Sequence, residues 1–476
     1  MPRELSEEKG GDMNRRFLFL LGVVTAGLLL LTGCTSFFVN PTVETPKLSP
    51  SPTGRYLVVF KDHYIPSSAE VALKGMGATV VERLDKIGVV VVESDDPNFP
   101  NKAMGIPEVA AVGHDRMVKL SPPLEPKPLE VQPQGVSDND FYVDYQWDIK
   151  RVGGTEETWN IEKGDGVTVA VIDTGVYHSD TDPHPDIQPN FAYAKNYLIP
   201  SLLPPGWTPV YGDDNDHYGH GTHVAGTIAA PITSGHIIGL APEAKIASYK
   251  ALGVLEDPDH NLCVAGFDSD ILPAVMDAAD DGCKVINMSI GGYTDFRDPE
   301  DFAAYLAWAR ATQYAWEHGT LVVAAAGNDT MNASKDPNRH TPSTAPAALA
   351  VVATGPTDEL ASYSNYGAFN ADFTAPGGDF QNYPNPGWWL DMCLSAWSPI
   401  TIDPELSGAY YVWAAGTSMA TPKVSGIAAL IYAHNPGIGP SEVVQLLKRS
   451  AEDLGEVGFD LIYGWGMPNA YRAVTQ

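Results

Sequence analysis

The sequence predicts an α/β fold: a three-layer domain around a mainly parallel central sheet, preceded by a small α+β unit. Three observations carry this expectation. Continuous Val, Ile and Ala runs recur through the later part of the chain, as strands buried on both faces require. Helical stretches separate these runs, which is the alternation of an α/β domain. Before them, shorter strand-like segments and one helix end at a Pro-rich break, which marks a separate unit.

At 476 residues the chain is too long for one typical domain. Arg15-Arg16 precedes an apolar run over residues 17–31, short for a spanning helix and right for a signal-peptide core. The run ends in Leu31-Thr-Gly-Cys34, which resembles a bacterial lipobox, in which the Cys is lipidated and becomes the new N-terminus. An ordinary signal peptide with a chance Cys, or a membrane anchor, are the alternatives. Residues 1–12 are acidic and polar, which makes Met13 a candidate initiator, and the double Arg is weakly like a twin-arginine signal. Residues 1–34 are thus assigned to export, and the Pro-, Ser- and Thr-rich residues 35–53 to a tether.

Residues 54–120 form the α+β unit, with strands at 55–60 and 87–93, a helix at 67–75 and a helix-to-turn segment at 106–112. A last strand at 116–120 would close its antiparallel sheet. Residues 121–137 are a junction, since 121–136 contain five prolines and no apolar periodicity. The large domain occupies 138–476. Its strand-like runs are 167–172, 245–249, 284–288, 320–325 and 349–353, and its helices include 224–230, 269–281, 301–318 and 421–434.

With 44% hydrophobic and 18% charged residues, the bulk is globular. A net charge of −30 argues against a nucleic-acid partner. It suits a soluble, secreted surface; a salty habitat or bound cations are alternatives. Beyond Cys34 only Cys263, Cys283 and Cys393 remain, so at most one disulfide can form among them, and no C-x-x-C pair supports zinc or redox chemistry.

Three stretches carry chemistry: Val169-Ala-Val-Ile-Asp173-Thr-Gly175, His220-Gly-Thr-His-Val-Ala-Gly226 and Gly416-Thr-Ser418-Met-Ala-Thr-Pro422. Taken singly, Asp173 reads as a strand-end cap, Ser418 as a helix N-cap and His220 as a structural histidine. Together they supply an acid, an imidazole and a hydroxyl, the parts that nucleophilic acyl transfer needs. Zinc ligation by His220 and His223 is a rival, but no H-E-x-x-H and no third ligand at motif spacing accompanies them.

The order Asp, His, Ser and the flanking residues resemble the subtilisin-like serine protease family from about Asp140 onward. The resemblance implies that Asp173 orients His220, that His220 takes the proton and that Ser418 attacks a peptide carbonyl. Asn328, in Ala324-Ala-Ala-Gly-Asn328, would share the oxyanion hole with the Ser418 N–H. Residues 54–120 resemble the inhibitor-type pro-region that precedes many such enzymes. Where the family usually has His, five residues after the nucleophile, this chain has Lys423.

Substrate would pair with Ser289, Ile290, Gly291 and Gly292, with Ala325, Ala326 and Gly327 as the opposite wall of the primary pocket and His340 near its base. No cofactor is needed for the chemistry. Structural calcium is suggested by Asp186 in His184-Pro-Asp186 and by Asp213, Asp214 and Asp216, although 231–235 lacks the Asn expected there, and a solvated acidic loop is the alternative. The expectation is a secreted serine endopeptidase made as a zymogen. Its partners would be protein and peptide substrates, its own pro-region, and the membrane through Cys34 until maturation. Two rivals are an acid-active relative with Glu in place of His, disfavoured by His220 and Asn328, and a catalytically silent, membrane-tethered binding or inhibitor protein, disfavoured by the intact triad.

Overall fold

A strand buried on both faces must send alternate side chains into two different cores, and the central sheet does this. In the strand Thr168–Asp173, Val169 and Val171 enter one core while Ala170 and Ile172 enter another. The computed structural model describes residues 54–120, 124–129, 140–232, 236–295, 297–380 and 382–476. The export segment with Cys34, the tether and most of the 121–137 junction lie outside the described residues.

Seven strands form the central sheet, in the order Phe373–Pro376, Ala348–Thr354, Leu321–Ala325, Val285–Met288, Thr168–Asp173, Lys245–Lys250 and Phe191–Asn196. Every neighbouring pair in it is parallel. One face is covered by the helices His220–Ala229 and Thr417–His434, through Val224, Ile228, Val424 and Ile427. The other is covered by Asp268–Asp280 and Pro299–Glu317, through Ile271, Val275, Ala304 and Trp308. The three layers expected from the sequence are therefore present. Among the described residues, no helix is long and apolar enough to cross a membrane.

The small unit before this domain has a four-stranded antiparallel sheet, in the order Thr79–Leu84, Val89–Glu93, Arg55–Phe60 and Val109–His114. Tyr56, Val58 and Phe60 face its own helices; Leu57 and Val59 face Asp268–Asp280 and Pro299–Glu317, within the same core as those helices. Arg310, buried on the longer of these helices, donates to the Phe60 carbonyl at 2.6 Å and the Ile87 carbonyl at 2.9 Å.

Two expectations here are corrected. Residues 106–112 are not a helix-to-turn segment: the helix is Phe99–Ala103, and Val109–His114 pairs with the free edge of Arg55–Phe60. A short apolar run does not by itself distinguish helix from strand, and the open sheet edge decides. Residues 116–120 do not close that sheet. Arg116 is drawn to Asp268, 2.9 Å away, and Met117–Lys119 pairs with Leu262–Phe267 of the large domain.

Candidate active site

Asp173 ends its strand fully buried, and its Oδ1 accepts from Thr174 N at 2.7 Å and from His220 Nδ1 at 2.8 Å. That contact places the ring proton on Nδ1 and leaves Nε2 as the basic atom. Nε2 is buried and has no protein partner. The helix carrying His220 approaches this closely because residue 221 is Gly: a Cβ there would lie 2.0 Å from the Gly175 carbonyl oxygen.

Asp216 explains where that helix begins. Its carboxylate accepts from Gly219 N at 2.8 Å, Thr222 N at 3.0 Å, Thr222 Oγ1 at 2.6 Å and Thr174 Oγ1 at 3.0 Å. It satisfies the free N–H groups of the helix start and ties them to the turn after Asp173. Burial raises its pKa, and the hydrogen bonds oppose that shift.

The four acids named as calcium ligands each have protein partners. Asp186 accepts from His236 N at 3.0 Å and from the Tyr411 hydroxyl at 2.6 Å, and burial pushes it up to about 6. Asp213 meets His217 at 2.8 Å, and Asp214 meets His178 at 3.4 Å. Among the described residues no three Asp, Glu, His or Cys side chains gather as a metal site requires.

Ser418 lies in the first turn of Thr417–His434, beside the helix of His220. Its Oγ donates to the Ser289 carbonyl at 3.0 Å, not to His220 Nε2. His223, one turn beyond His220, bonds the Cys393 and Val412 carbonyls at 3.2 and 3.1 Å. Burial, with the Lys423 and His220 charges adding, holds its pKa down at about 3, so it is a neutral packing group.

Asn328 has its amide oriented by the same helix. Oδ1 accepts from Thr417 N at 2.9 Å and Thr417 Oγ1 at 2.8 Å, which turns Nδ2 the other way. A Cβ on Gly416 would lie 3.3 Å from Asn328 Nδ2 and 3.7 Å from Ser418 N. Asn328 Nδ2 and Ser418 N thus both lie near the Gly416 end of the nucleophile turn, where an oxyanion site would need two N–H donors.

The segments named for substrate binding lie on either side of that turn. Ser289 and Ile290 are buried on one side, and Ala325, Ala326 and Gly327 on the other. Gly292 is not a free edge on both sides: it pairs with Thr341 in the antiparallel ladder of Gly292–Asp295 with Asn338–Thr341. Sequence reasoning missed Asp216 as a helix cap and Ser289 as a side-chain donor to Ser418. The signal for Ser289 was Pro422, which has no N–H for the Ser418 carbonyl four residues earlier.

A family model described as the subtilase family of peptidases matches residues 164–466. The chain is 30% identical to a thermophilic serine proteinase of a Bacillus species over 89% of its own length and 87% of that protein's. Among solved structures, the nisin leader peptidase of Lactococcus lactis is 26% identical, with a TM-score of 0.58 over 71% of this chain and 95% of that one. The epidermin leader peptide processing serine protease of Staphylococcus aureus has a TM-score of 0.68 at 24% identity, over 89% of this chain and 98% of that one, and at that identity it speaks to the fold alone. With the Asp–His contact, the nucleophile turn and a family match over most of the chain in place, the conclusion is direct: this chain belongs to the subtilase family of serine proteases.

Proposed function

We propose that the chain is a serine endopeptidase that cleaves peptide bonds through an acyl-enzyme. The contact between Asp173 Oδ1 and His220 Nδ1, with Nε2 left basic beside the Ser418 helix, carries this reading. For the reaction, Ser418 Oγ leaves the Ser289 carbonyl and hydrogen-bonds His220 Nε2 instead. His220 then removes the hydroxyl proton as Oγ attacks, Asp173 stabilises the imidazolium, and Asn328 Nδ2 with Ser418 N binds the oxyanion. His220 returns the proton to the leaving amine, and water repeats the cycle on the ester.

The small unit at 54–120 acts as the intramolecular inhibitor. Its support is the path of the chain: Leu120 N donates to Val264 O at 3.0 Å, and Leu124–Pro128 pairs with Tyr411–Ala415, the strand leading to Ser418. The polypeptide's own junction therefore docks on two strands of the large domain. Maturation cuts within 121–137. Export is directed by residues 1–34, and lipid on Cys34 holds the precursor at the membrane; because Cys34 precedes the inhibitor unit, the cut also releases the protease.

A fluorophosphonate probe tests the chemistry: it should modify Ser418, and Ser418→Ala should lose both labelling and peptide hydrolysis while staying folded. Labelling elsewhere with full hydrolysis by Ser418→Ala would sink the assignment. Fractionation tests the anchor: wild type should give a soluble mature band, and Ser418→Ala should stay membrane-bound at precursor length.

A further inference from the structure

The two wall segments both meet a third side chain, His340. One wall touches the nucleophile turn through the reciprocal hydrogen bonds of Ser289 and Ser418. The other touches it through Gly327 N, which donates to Thr417 Oγ1 at 3.2 Å. Both walls therefore meet the nucleophile turn at Thr417 and Ser418. The antiparallel ladder places His340 opposite Tyr293, directly after the first wall.

The imidazole reaches both walls. A Cβ on Gly291 would lie 2.2 Å from His340 Cε1 and 2.7 Å from Nε2, and one on Gly327 would lie 2.9 Å from Cδ2. Only because both residues are Gly can the ring contact the two backbones at once. It is held there: Nδ1 lies 3.1 Å from Ser343 Oγ, that hydroxyl bonds Asn370 Oδ1 at 2.8 Å, and the Tyr293 ring packs edge-on at 5.2 Å between centroids. Burial keeps the His340 pKa down at about 4, so near neutral pH the ring carries no charge.

We propose that His340 fills the primary side-chain slot, so that the enzyme accepts only short, uncharged side chains, such as Gly, Ala or Ser, on the acyl side of the scissile bond. This rests on the endopeptidase reading above. A Leu or Phe side chain would need the volume that the ring occupies, and moving the ring breaks its bond to Ser343. A basic side chain would meet a neutral imidazole, and the nearby Asp329 carboxylate is already held by the Tyr293 hydroxyl.

The test uses the full-length chain, incubated until a fluorophosphonate labels Ser418 in a withdrawn sample, and assays the remaining unlabelled enzyme on peptide p-nitroanilides differing only in the residue before the cut. Wild type should favour Ala over Phe and Leu by at least about tenfold in kcat/KM. His340→Gly should shift the Phe-to-Ala ratio towards Phe by about tenfold or more. Mapping the cuts that wild type makes in an unfolded protein gives a second readout that needs no variant, and the residue before each cut should be short. Wild-type cleavage after Phe or Leu as readily as after Ala overturns the proposal, as does an unchanged ratio in folded His340→Gly. A chain that never labels at Ser418 instead removes the endopeptidase reading, and this proposal with it.

Discussion

Ser418 and Ser289 hold each other by two hydrogen bonds: Ser418 Oγ donates to the Ser289 carbonyl at 3.0 Å, and Ser289 Oγ donates to the Ser418 carbonyl at 2.8 Å. The second bond replaces one that the helix cannot make. Pro422 has no N–H, so the Ser418 carbonyl lacks its ordinary donor one turn on, and Ser289 supplies it. Behind it, Asn287 Nδ2 donates to Ser289 Oγ at 3.0 Å, and Ser425 Oγ donates to Asn287 Oδ1 at 2.8 Å.

Ser289→Ala should therefore cost more than one surface hydroxyl. It leaves the Asn287 amide and the Ser418 carbonyl buried without this partner, at about 1–3 kcal/mol per stranded group. Urea denaturation should show that loss, and turnover should fall because the nucleophile turn loses its tie. An unchanged midpoint with unchanged turnover would show that the bond is incidental.

On the proposed mechanism Asn328→Ala should lower kcat with little change in KM, because Nδ2 would then serve a charge that develops only in the transition state. The expected loss is about 10²–10³, the size that removing this donor has in subtilisin itself. Steady-state kinetics on one peptide decides it. A rise in KM at constant kcat would assign Asn328 to substrate binding instead.

The central fold was legible because Val/Ile/Ala runs such as 167–172 have few other uses than strands buried on both faces. The edge strands Phe191–Asn196 and Thr79–Leu84 escaped notice: they mix polar and apolar residues and owe their form to a neighbour's open edge. Asp173, His220 and Ser418 could be placed from short local motifs. Asp216 could not, because a carboxylate that caps a helix and one that binds an ion look alike in sequence. His340 was visible only as a loose neighbour of the pocket, since its contact with Gly291 depends on a ladder between segments far apart in the chain.

Docking of the small unit should weaken as pH rises. Asp115 accepts from Ser269 N at 3.0 Å and Ser269 Oγ at 2.7 Å across the contact. Burial pushes the Asp115 carboxyl up to about 6, with Asp268 adding and Arg55 opposing. Burial likewise pushes Glu82 up to about 7, against Arg55. Carboxyls held above their ordinary value of about 4 take up protons on docking. Their contribution is complete below that value and is lost as pH rises through about 6 to about 7. In Ser418→Ala, the protection of the Ser269 amide against hydrogen exchange, corrected for intrinsic rates, should fall between these limits, and Glu82→Gln should flatten the fall. Protection that increases with pH would reverse the sign and reject the account.

Lys423 and Asp148 form a buried ion pair at 2.7 Å, with side chains 0% and 1% exposed. The ammonium also donates to the Met419 carbonyl at 3.0 Å, next to the nucleophile, and lies 3.6 Å from Cys393 Sγ. Burial alone would lower the Lys423 pKa, but Asp148 and Cys393 together outweigh it and the net shift is upward. Removing one partner strands the other charge, so Lys423→Met or Asp148→Asn should each cost about 3–5 kcal/mol. Replacing both, as Lys423→Met with Asp148→Leu, should recover most of that loss, since a well-packed apolar pair can match a buried ion pair. Kinetics on the same proteins separates packing from positioning. If the ammonium fixes the Met419 carbonyl and with it the Ser418 turn, the double variant regains stability while its kcat stays below wild type and its KM does not move. Full recovery of kcat in the double variant would make the pair a matter of stability alone, and a double variant as unstable as the sum of the singles would mean that the two charges do not support each other.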